Sequence, residues 1–82
     1  MQNAHIVVVG STMIDMVTYS KVIPNAGETV IGDNFITGFG GKGANQATMA
    51  RRFEVQVSMV NTLGDDVFGE TTLQNFQKQG IN

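Results

Sequence analysis

The sequence contains no cysteine and a single histidine, His5, among its 82 residues. Disulfide scaffolds, zinc sites with thiolate ligands and cysteine nucleophiles are therefore excluded. A chain of this length buries only about 60% of the surface that its unfolded form exposes. We therefore expect marginal stability unless a partner subunit adds to the buried surface.

Positive charge and long apolar runs are also scarce. Five basic side chains stand against seven acidic ones, and the net charge is −2. With no basic cluster beyond Arg51-Arg52, we expect no nucleic-acid partner. The longest apolar run, Ile6 to Val9, is too short for a membrane span and follows no basic stretch, so we expect no signal peptide and no membrane partner. These features predict a soluble, cytoplasmic protein.

Hydrophobic residues make up 41% of the chain, as in globular proteins, whereas ten glycines exceed ordinary usage. The run from His5 to Gly10 is β-branched and continuously apolar, which is typical of a strand buried on both faces of a parallel sheet. The runs Val17 to Ile23 and Thr29 to Thr37 flank Pro24-Asn25-Ala26-Gly27, a sequence that favours a turn. They predict a β-hairpin.

Beyond the hairpin, the pattern alternates between helix and strand. Asp66 is a suitable N-cap for the last helix, Gly80 would end it, and Phe68, Leu73 and Phe76 would face the core. Strands joined by helices indicate a parallel sheet, so the predicted class is α/β. Since two strands leave part of such a sheet uncovered, the chain is interpreted as the front of a larger domain. The predicted elements are a loop over 38–43, a helix over 44–53, a strand over 55–61 and a helix over 67–79.

Asp15 is the first candidate for a binding residue, since it follows the end of the first strand by five residues. Ligands of open α/β sheets bind outside the carboxyl ends of the strands. A carboxylate placed there can accept hydrogen bonds from two adjacent hydroxyls of a polyol. The alternative is an Asp that only stabilises a turn.

The second candidate is the glycine-rich segment that leads into a helix, Gly38 to Asn45. Glycines let backbone N–H groups approach an oxygen-rich ligand, and a helix N-terminus adds partial positive charge. Lys42 and Asn45 contribute side-chain donors. The segment also satisfies the dinucleotide pattern G-x-G-x-x-G, but it does not follow the first strand as that pattern requires. A dinucleotide-binding fragment is therefore only the third hypothesis.

Two other features are interpreted as structural. Gly64-Asp65-Asp66 precedes a predicted helix, where paired carboxylates more often cap the helix than bind a metal. His5 has no titratable partner close in sequence, so we assign it no catalytic role. We find no serine, histidine and aspartate combination suitable for nucleophilic catalysis.

Taken together, four stretches resemble the N-terminal portion of the pfkB family of carbohydrate kinases, and its ribokinase-like members in particular. They are Val-Val-Gly-Ser-Thr-Met-Ile-Asp, Pro-Asn-Ala-Gly-Glu-Thr, Gly-Phe-Gly-Gly-Lys-Gly-Ala-Asn-Gln-Ala and Gly-Asp-Asp-Val-Phe-Gly. The resemblance implies that 1–82 is the N-terminal segment of a Rossmann-like domain with an inserted β-hairpin lid at about 17–37. It also implies a sugar site formed by Asp15, Gly41, Lys42 and Asn45.

The resemblance further implies a homodimer contact through the lid and a parent enzyme that uses Mg-ATP, with a monovalent cation as a possible activator. The family's catalytic Asp, its Gly-Ala-Gly-Asp anion hole and its ATP site lie in the C-terminal part. We therefore expect the 82-residue chain to bind no cofactor and to be inactive by itself. The alternative is a non-catalytic module that binds or dimerises through its hairpin.

Two residues depart from the family pattern. Met13 stands where many ribokinases carry an Asn that bonds the sugar, although other members have Met there, which leaves the preferred sugar open. Glu54 stands where the pattern has Gly or Ser at the end of a helix. If that position keeps a left-handed backbone conformation, Glu54 is strained there.

Overall fold

The computed structural model describes residues 4–82. A parallel sheet pairs β1 with β4, and a separate antiparallel hairpin pairs β2 with β3. This arrangement confirms the α/β class. In chain order the elements are β1 (His5–Val9), β2 (Met13–Tyr19), β3 (Asn34–Gly40), α1 (Lys42–Arg52), β4 (Gln56–Val60) and α2 (Val67–Gln79).

The hydrophobic core lies where α1 covers the parallel sheet. Within β1, Val8 is 8% exposed whereas Val9 is 77% exposed, so the prediction of a strand buried on both faces is wrong for the described residues. Small Ala44 and Ala47 let α1 lie close to the sheet. The buried apolar residues are Val8, Ala44, Ala47, Val57, Phe76 and Ile81.

The end of β1 and the start of α1 meet backbone to backbone. A Cβ atom on Gly43 would lie 2.9 Å from both Cα and the carbonyl carbon of Gly10. The Ala44 N–H donates to the Ser11 carbonyl oxygen at 3.0 Å. Because no side chain fits between these two backbones, glycine at position 43 is required by packing.

The hairpin differs in its bounds from the predicted one. Its strands run from Met13 to Tyr19 and from Asn34 to Gly40, so 20–33 connect them. The predicted turn is present, since the Glu28 N–H donates to the Asn25 carbonyl oxygen at 3.0 Å and Gly27 has φ 75°. The paired strands begin at the junction with α1 and stop short of the turn, because pairing is fixed by context more than by β-propensity.

The predicted loop over 38–43 is also wrong. β3 continues to Gly40 and α1 begins at Lys42, which leaves Gly41 as the only connecting residue. Helix α1 thus starts two residues earlier than the sequence suggests, because its first turn packs against the end of β1. The glycine-rich segment is therefore mostly regular structure.

Helix α2 has the predicted bounds. The Asp66 side chain accepts a hydrogen bond from the Gly69 N–H at 2.8 Å, and Gly80 has φ 79°. Its buried residues are Gly69, Thr72 and Phe76, which form one stripe along the helix. Phe68 and Leu73 lie off this stripe and are 45% and 49% exposed, so the prediction that they face the core is wrong.

After α2 the chain returns to the parallel sheet. The Asn82 N–H donates to the Val57 carbonyl oxygen at 3.0 Å, and the Met59 N–H donates to the Asn82 carbonyl oxygen at 2.7 Å. Ile81 is buried beside this contact. Residues 81–82 therefore pair along the edge of β4 that β1 leaves free.

The molecule is elongated. Its radius of gyration is 16.6 Å, whereas a compact domain of this length has about 12 Å. Because the core is confined to β1, β4 and the helices, the hairpin accounts for the extension. Neither α1 nor α2, the helices of residues 4–82, has the length and apolarity that a membrane crossing requires.

Candidate functional site

Asp15 lies within β2, not in the turn where a capping role would place it. It pairs with Gly38 across the hairpin, and its carboxylate reaches diagonally over Gly40. A Cβ atom on Gly40 would lie 2.7 Å from Asp15 Oδ2, so any larger residue there would displace the carboxylate from its present position. The side chain is exposed and makes no hydrogen bond within residues 4–82. Its acceptor oxygens are available to a ligand.

Gly41 connects the hairpin to α1 with φ 97°, a conformation that favours glycine. A Cβ atom there would lie 2.7 Å from Thr12 Cα and 2.8 Å from the Ser11 carbonyl oxygen. The sequence argument explained the glycines by ligand access, but close packing against the segment after β1 already requires this one. Gly41 thus fixes how the hairpin joins the helix.

Lys42 is the first residue of α1, and Asn45 lies three residues later on the same helix face. Both side chains are exposed. A cation at a helix N-terminus is unfavourable because the helix dipole is positive there, and the first turn of α1 has no acidic residue to offset it. The charge of Lys42 therefore does not stabilise the helix.

The register of the hairpin brings these residues to one corner of the molecule. The carboxylate of Asp15 contacts Gly40, and the next two residues in the chain are Gly41 and Lys42. Asp15 therefore lies near the junction of the hairpin with α1, the helix that carries Lys42 and Asn45 in its first turn. This corner can accept and donate hydrogen bonds to a polyhydroxylated molecule.

Within residues 4–82, no group of three or more His, Cys, Asp or Glu side chains is placed to hold a metal ion. The paired carboxylates of the Gly-Asp-Asp sequence do not form one, because Asp66 caps α2 as predicted.

Sequence reasoning missed two polar residues at the carboxyl ends of the parallel strands. Thr12 Oγ1 and Asn61 Nδ2 are buried and have no hydrogen-bond partner within the described chain. Both residues border one open cleft between the ends of β1 and β4. Asn61 directly follows β4 and Thr12 comes three residues after β1, so both stand at the end of the sheet where ligands of such sheets bind.

A family model described as pfkB family carbohydrate kinase matches residues 3–82. The ribokinase of Lactococcus lactis is 49% identical over 75 residues, which are 90% of this chain and 25% of that protein. The deoxyribokinase of Salmonella typhi is 44% identical over 77 residues, which are 94% of this chain and 25% of that protein. The chain therefore spans about a quarter of the length of the curated relatives it matches.

Solved structures show the same likeness. The ribokinase of Thermotoga maritima superposes on this chain with a TM-score of 0.85 at 37% identity. The match covers 94% of this chain and 26% of the ribokinase chain. The ribokinase of Arabidopsis thaliana, solved with ribose and ATP, has a TM-score of 0.84 at 30% identity and covers 100% of this chain and 27% of its own. Both the parallel sheet and the antiparallel hairpin are thus part of the ribokinase fold.

Proposed function

The chain belongs to the pfkB family of carbohydrate kinases, and from this we propose that residues 1–82 are the sugar-binding N-terminal segment of such an enzyme. The complete protein transfers the γ-phosphoryl group of Mg-ATP to a hydroxyl of ribose or a related sugar. The hairpin acts as a lid over the sugar. In the structure the two strands of this hairpin lie within 13–40.

The placement of Asp15 carries this proposal. Its carboxylate is exposed and lies on a patch of bare glycine backbone beside the start of α1. An exposed carboxylate with no partner in residues 4–82 can accept charge-assisted hydrogen bonds from sugar hydroxyls. Gly41, Lys42 and Asn45 complete the sugar site with the helix N-terminus and two side-chain donors. We name ribose as the sugar because the ribokinase of Arabidopsis thaliana was solved with ribose, which supports a pentose as the substrate.

Phosphoryl transfer needs a base for the attacking hydroxyl, donors for the transferred group and a metal-bound nucleotide. The described residues do not fit a metal ion, and no step is assigned to one. We propose that other parts of the complete protein hold Mg-ATP and any monovalent cation. The ribokinase of Cryptococcus neoformans, solved with ADP, supports nucleotide use by the complete enzyme.

The hairpin also supports a proposed homodimer. Apolar side chains are exposed on both of its faces, among them Val17 at 40%, Phe35 at 56% and Ile36 at 46%. Large exposed apolar patches mark interaction sites. The same observation supports the alternative function, a non-catalytic module that binds or dimerises through the hairpin.

A turnover assay separates the two functions. The complete protein should phosphorylate ribose or a related pentose with ATP, while the purified 82-residue chain should show no turnover above background. Failure of the complete protein with every pentose would favour the non-catalytic module. Sustained turnover by the 82-residue chain would contradict the assignment of the catalytic groups to other parts of the enzyme.

A further inference from the structure

The open cleft at the carboxyl ends of β1 and β4 holds two polar atoms that the described chain leaves without a partner. Thr12 Oγ1 and Asn61 Nδ2 are both buried and make no hydrogen bond within residues 4–82. A buried polar group that has lost its hydrogen bonds to water is costly unless another group replaces them, and native proteins pair nearly all such groups. Both atoms can donate, so the missing partner must present acceptor atoms.

An exposed apolar surface adjoins this cleft on the face of the sheet opposite α1. Val8 is buried towards α1, whereas its neighbours Val7 and Val9 are 55% and 77% exposed. Val60 of β4 pairs with Val9 and is 52% exposed. Burial of these valines would be favourable. The partner that fits this surface therefore combines apolar side chains with hydrogen-bond acceptors.

The cleft is separate from the proposed sugar site. It is lined by residues 9–12 and 60–62, and none of the residues proposed to bind the sugar is among them. A sugar would place hydroxyl groups against exposed valines, where they would lose hydrogen bonds to water without replacement. Polypeptide fits better, because it carries apolar side chains and, at the ends of helices and strands, free backbone carbonyl groups.

We infer that the surface formed by Val7, 9–12 and 60–62 is a docking site for a segment of the complete protein outside residues 1–82. Backbone carbonyl oxygens of that segment accept hydrogen bonds from Thr12 and Asn61, and its apolar side chains cover the exposed valines. The inference rests on the proposed function, which makes this chain part of a longer enzyme. The curated relatives have the length to supply such a segment, since the chain spans about a quarter of each.

Docking at this surface would also support the proposed sugar site. A Cβ atom on Gly41 would lie 2.7 Å from Thr12 Cα, so the backbones of these two residues are in close contact. Gly41 joins the hairpin to α1. A segment bound to Thr12 is thus anchored next to the residue that sets the position of the hairpin.

The test compares the sign of a stability change in the 82-residue chain and in the complete protein without sugar or nucleotide. Thr12→Val keeps the shape of the side chain and removes the hydroxyl. In the 82-residue chain it should shift the unfolding equilibrium, measured with urea, about fivefold towards the folded state, because a buried group without a partner is lost. In the complete protein the segment would lose its donor, and the equilibrium should shift about fivefold towards the unfolded state. Asn61→Leu should reverse its sign in the same way.

Ser58→Ala is the matched control, because the Ser58 hydroxyl already has a partner within the chain. Ser58 Oγ lies 2.8 Å from His5 Nε2 in a hydrogen bond. Removal of this hydroxyl should lower stability slightly in both forms of the protein, without a change of sign.

A change of the same sign in both forms for Thr12→Val and Asn61→Leu would overturn the inference, as expected if bound water completed the hydrogen bonds in each. A reversal that requires added sugar or ATP would also overturn it, since the cleft would then belong to a ligand. Turnover plays no part in this measurement. If the complete protein phosphorylates no pentose but the sign still reverses, the proposed function is wrong and the docking site stands.

Discussion

The β-hairpin and the part formed by β1, β4 and the two helices differ in how they are stabilised. Every buried apolar residue of the described chain belongs to the second part. In the hairpin Gly40 is the only buried residue, and it lies at the junction with α1. A two-stranded hairpin alone is marginally stable in water. The stability of the hairpin therefore depends on its attachment to α1 and on any partner that covers its exposed faces.

The candidate site bridges these two parts. Asp15 lies on the hairpin, whereas Lys42 and Asn45 lie on the helix that packs on the core. Gly41 is the single residue between the hairpin and this helix. Binding residues drawn from a weakly held element and a firmly held one are typical of a lid, because the weaker element can open without loss of the core. A sugar that contacts both would hold the hairpin closed.

The largest expected difference between the two parts is in stability. In Gly43→Ala the new Cβ would lie 2.9 Å from backbone atoms of Gly10, so the helix start and β1 must separate. We expect a loss of about 1 to 3 kcal/mol in the free energy of unfolding, measured with urea, despite the better helix propensity of Ala.

The matched control lies in the hairpin. Nothing lies within 4 Å of a Cβ atom on Gly38, so Gly38→Ala should change the free energy of unfolding by no more than about 0.5 kcal/mol. Equal losses in the two variants would show that the hairpin is part of the same cooperative core.

In contrast, the affinity for the sugar should depend on a residue of the hairpin. Asp15→Ala in the complete protein removes one or more charge-assisted hydrogen bonds of about 1.5 to 3 kcal/mol each. The dissociation constant of the sugar should rise at least about tenfold, and that of ATP should stay the same, as measured by calorimetric titration. Stability should barely change, because Asp15 is exposed.

Asp33→Ala provides the control for this measurement. Asp33 is an exposed residue of the same type at the opposite end of the hairpin, next to the pair of Tyr19 with Asn34. Its replacement should leave sugar affinity unchanged. An unaltered dissociation constant in a normally folded Asp15→Ala protein would refute the sugar-site assignment.

The helices were more predictable from the sequence than the hairpin. Capping by Asp66 and termination at Gly80 are local signals, and α2 has the bounds that they predict. In contrast, Ile23 and Ile31 have high β-propensity but lie outside the strands, where they are 91% and 92% exposed. Strand pairing is decided by contacts across the hairpin and at its base, and single-residue propensity does not contain them.

The residues of the candidate site were all named from the sequence and their sugar-binding role stays a prediction, but part of the physical reasoning for them changed. Glycines at the start of α1 were interpreted as space for a ligand, whereas Gly41 and Gly43 are required by backbone contacts within the chain. Thr12 and Asn61 were missed because their lack of partners is visible only when burial is known. A sequence pattern can single out candidate residues, but it does not show which atoms those residues contact.

The two parts should also differ in how much they contribute to self-association. The 82-residue chain should form oligomers at micromolar concentration through the exposed faces of its hairpin. Phe35→Glu and Ile36→Glu place a charge on either face and should together weaken association by about fivefold, or roughly 1 kcal/mol. Sedimentation velocity over a range of concentrations measures this effect.

Leu73→Glu is the control in the other part of the molecule, where the side chain on α2 is 49% exposed. It should leave the hairpin contact intact. A compact monomer of the unmodified chain at all concentrations would contradict the proposed dimer contact. Loss of association only in Leu73→Glu would move that contact to α2.

The smallest expected effect is a gain in stability in the core part. Glu54 follows α1 with φ 64° and is the only residue other than glycine with positive φ in residues 4–82. A left-handed conformation costs a residue with a Cβ atom about 1 to 2 kcal/mol, and glycine avoids this cost but loses more entropy on folding. Glu54→Gly should therefore raise the free energy of unfolding by about 0.5 to 1 kcal/mol.

The same change in the hairpin, Glu28→Gly, relieves no strain and removes the acceptor for the Asn25 N–H, so it should be neutral or slightly destabilising. Urea unfolding of both variants checks the opposite signs, and a loss of stability in Glu54→Gly would mean that its side chain contributes more than its backbone strain removes.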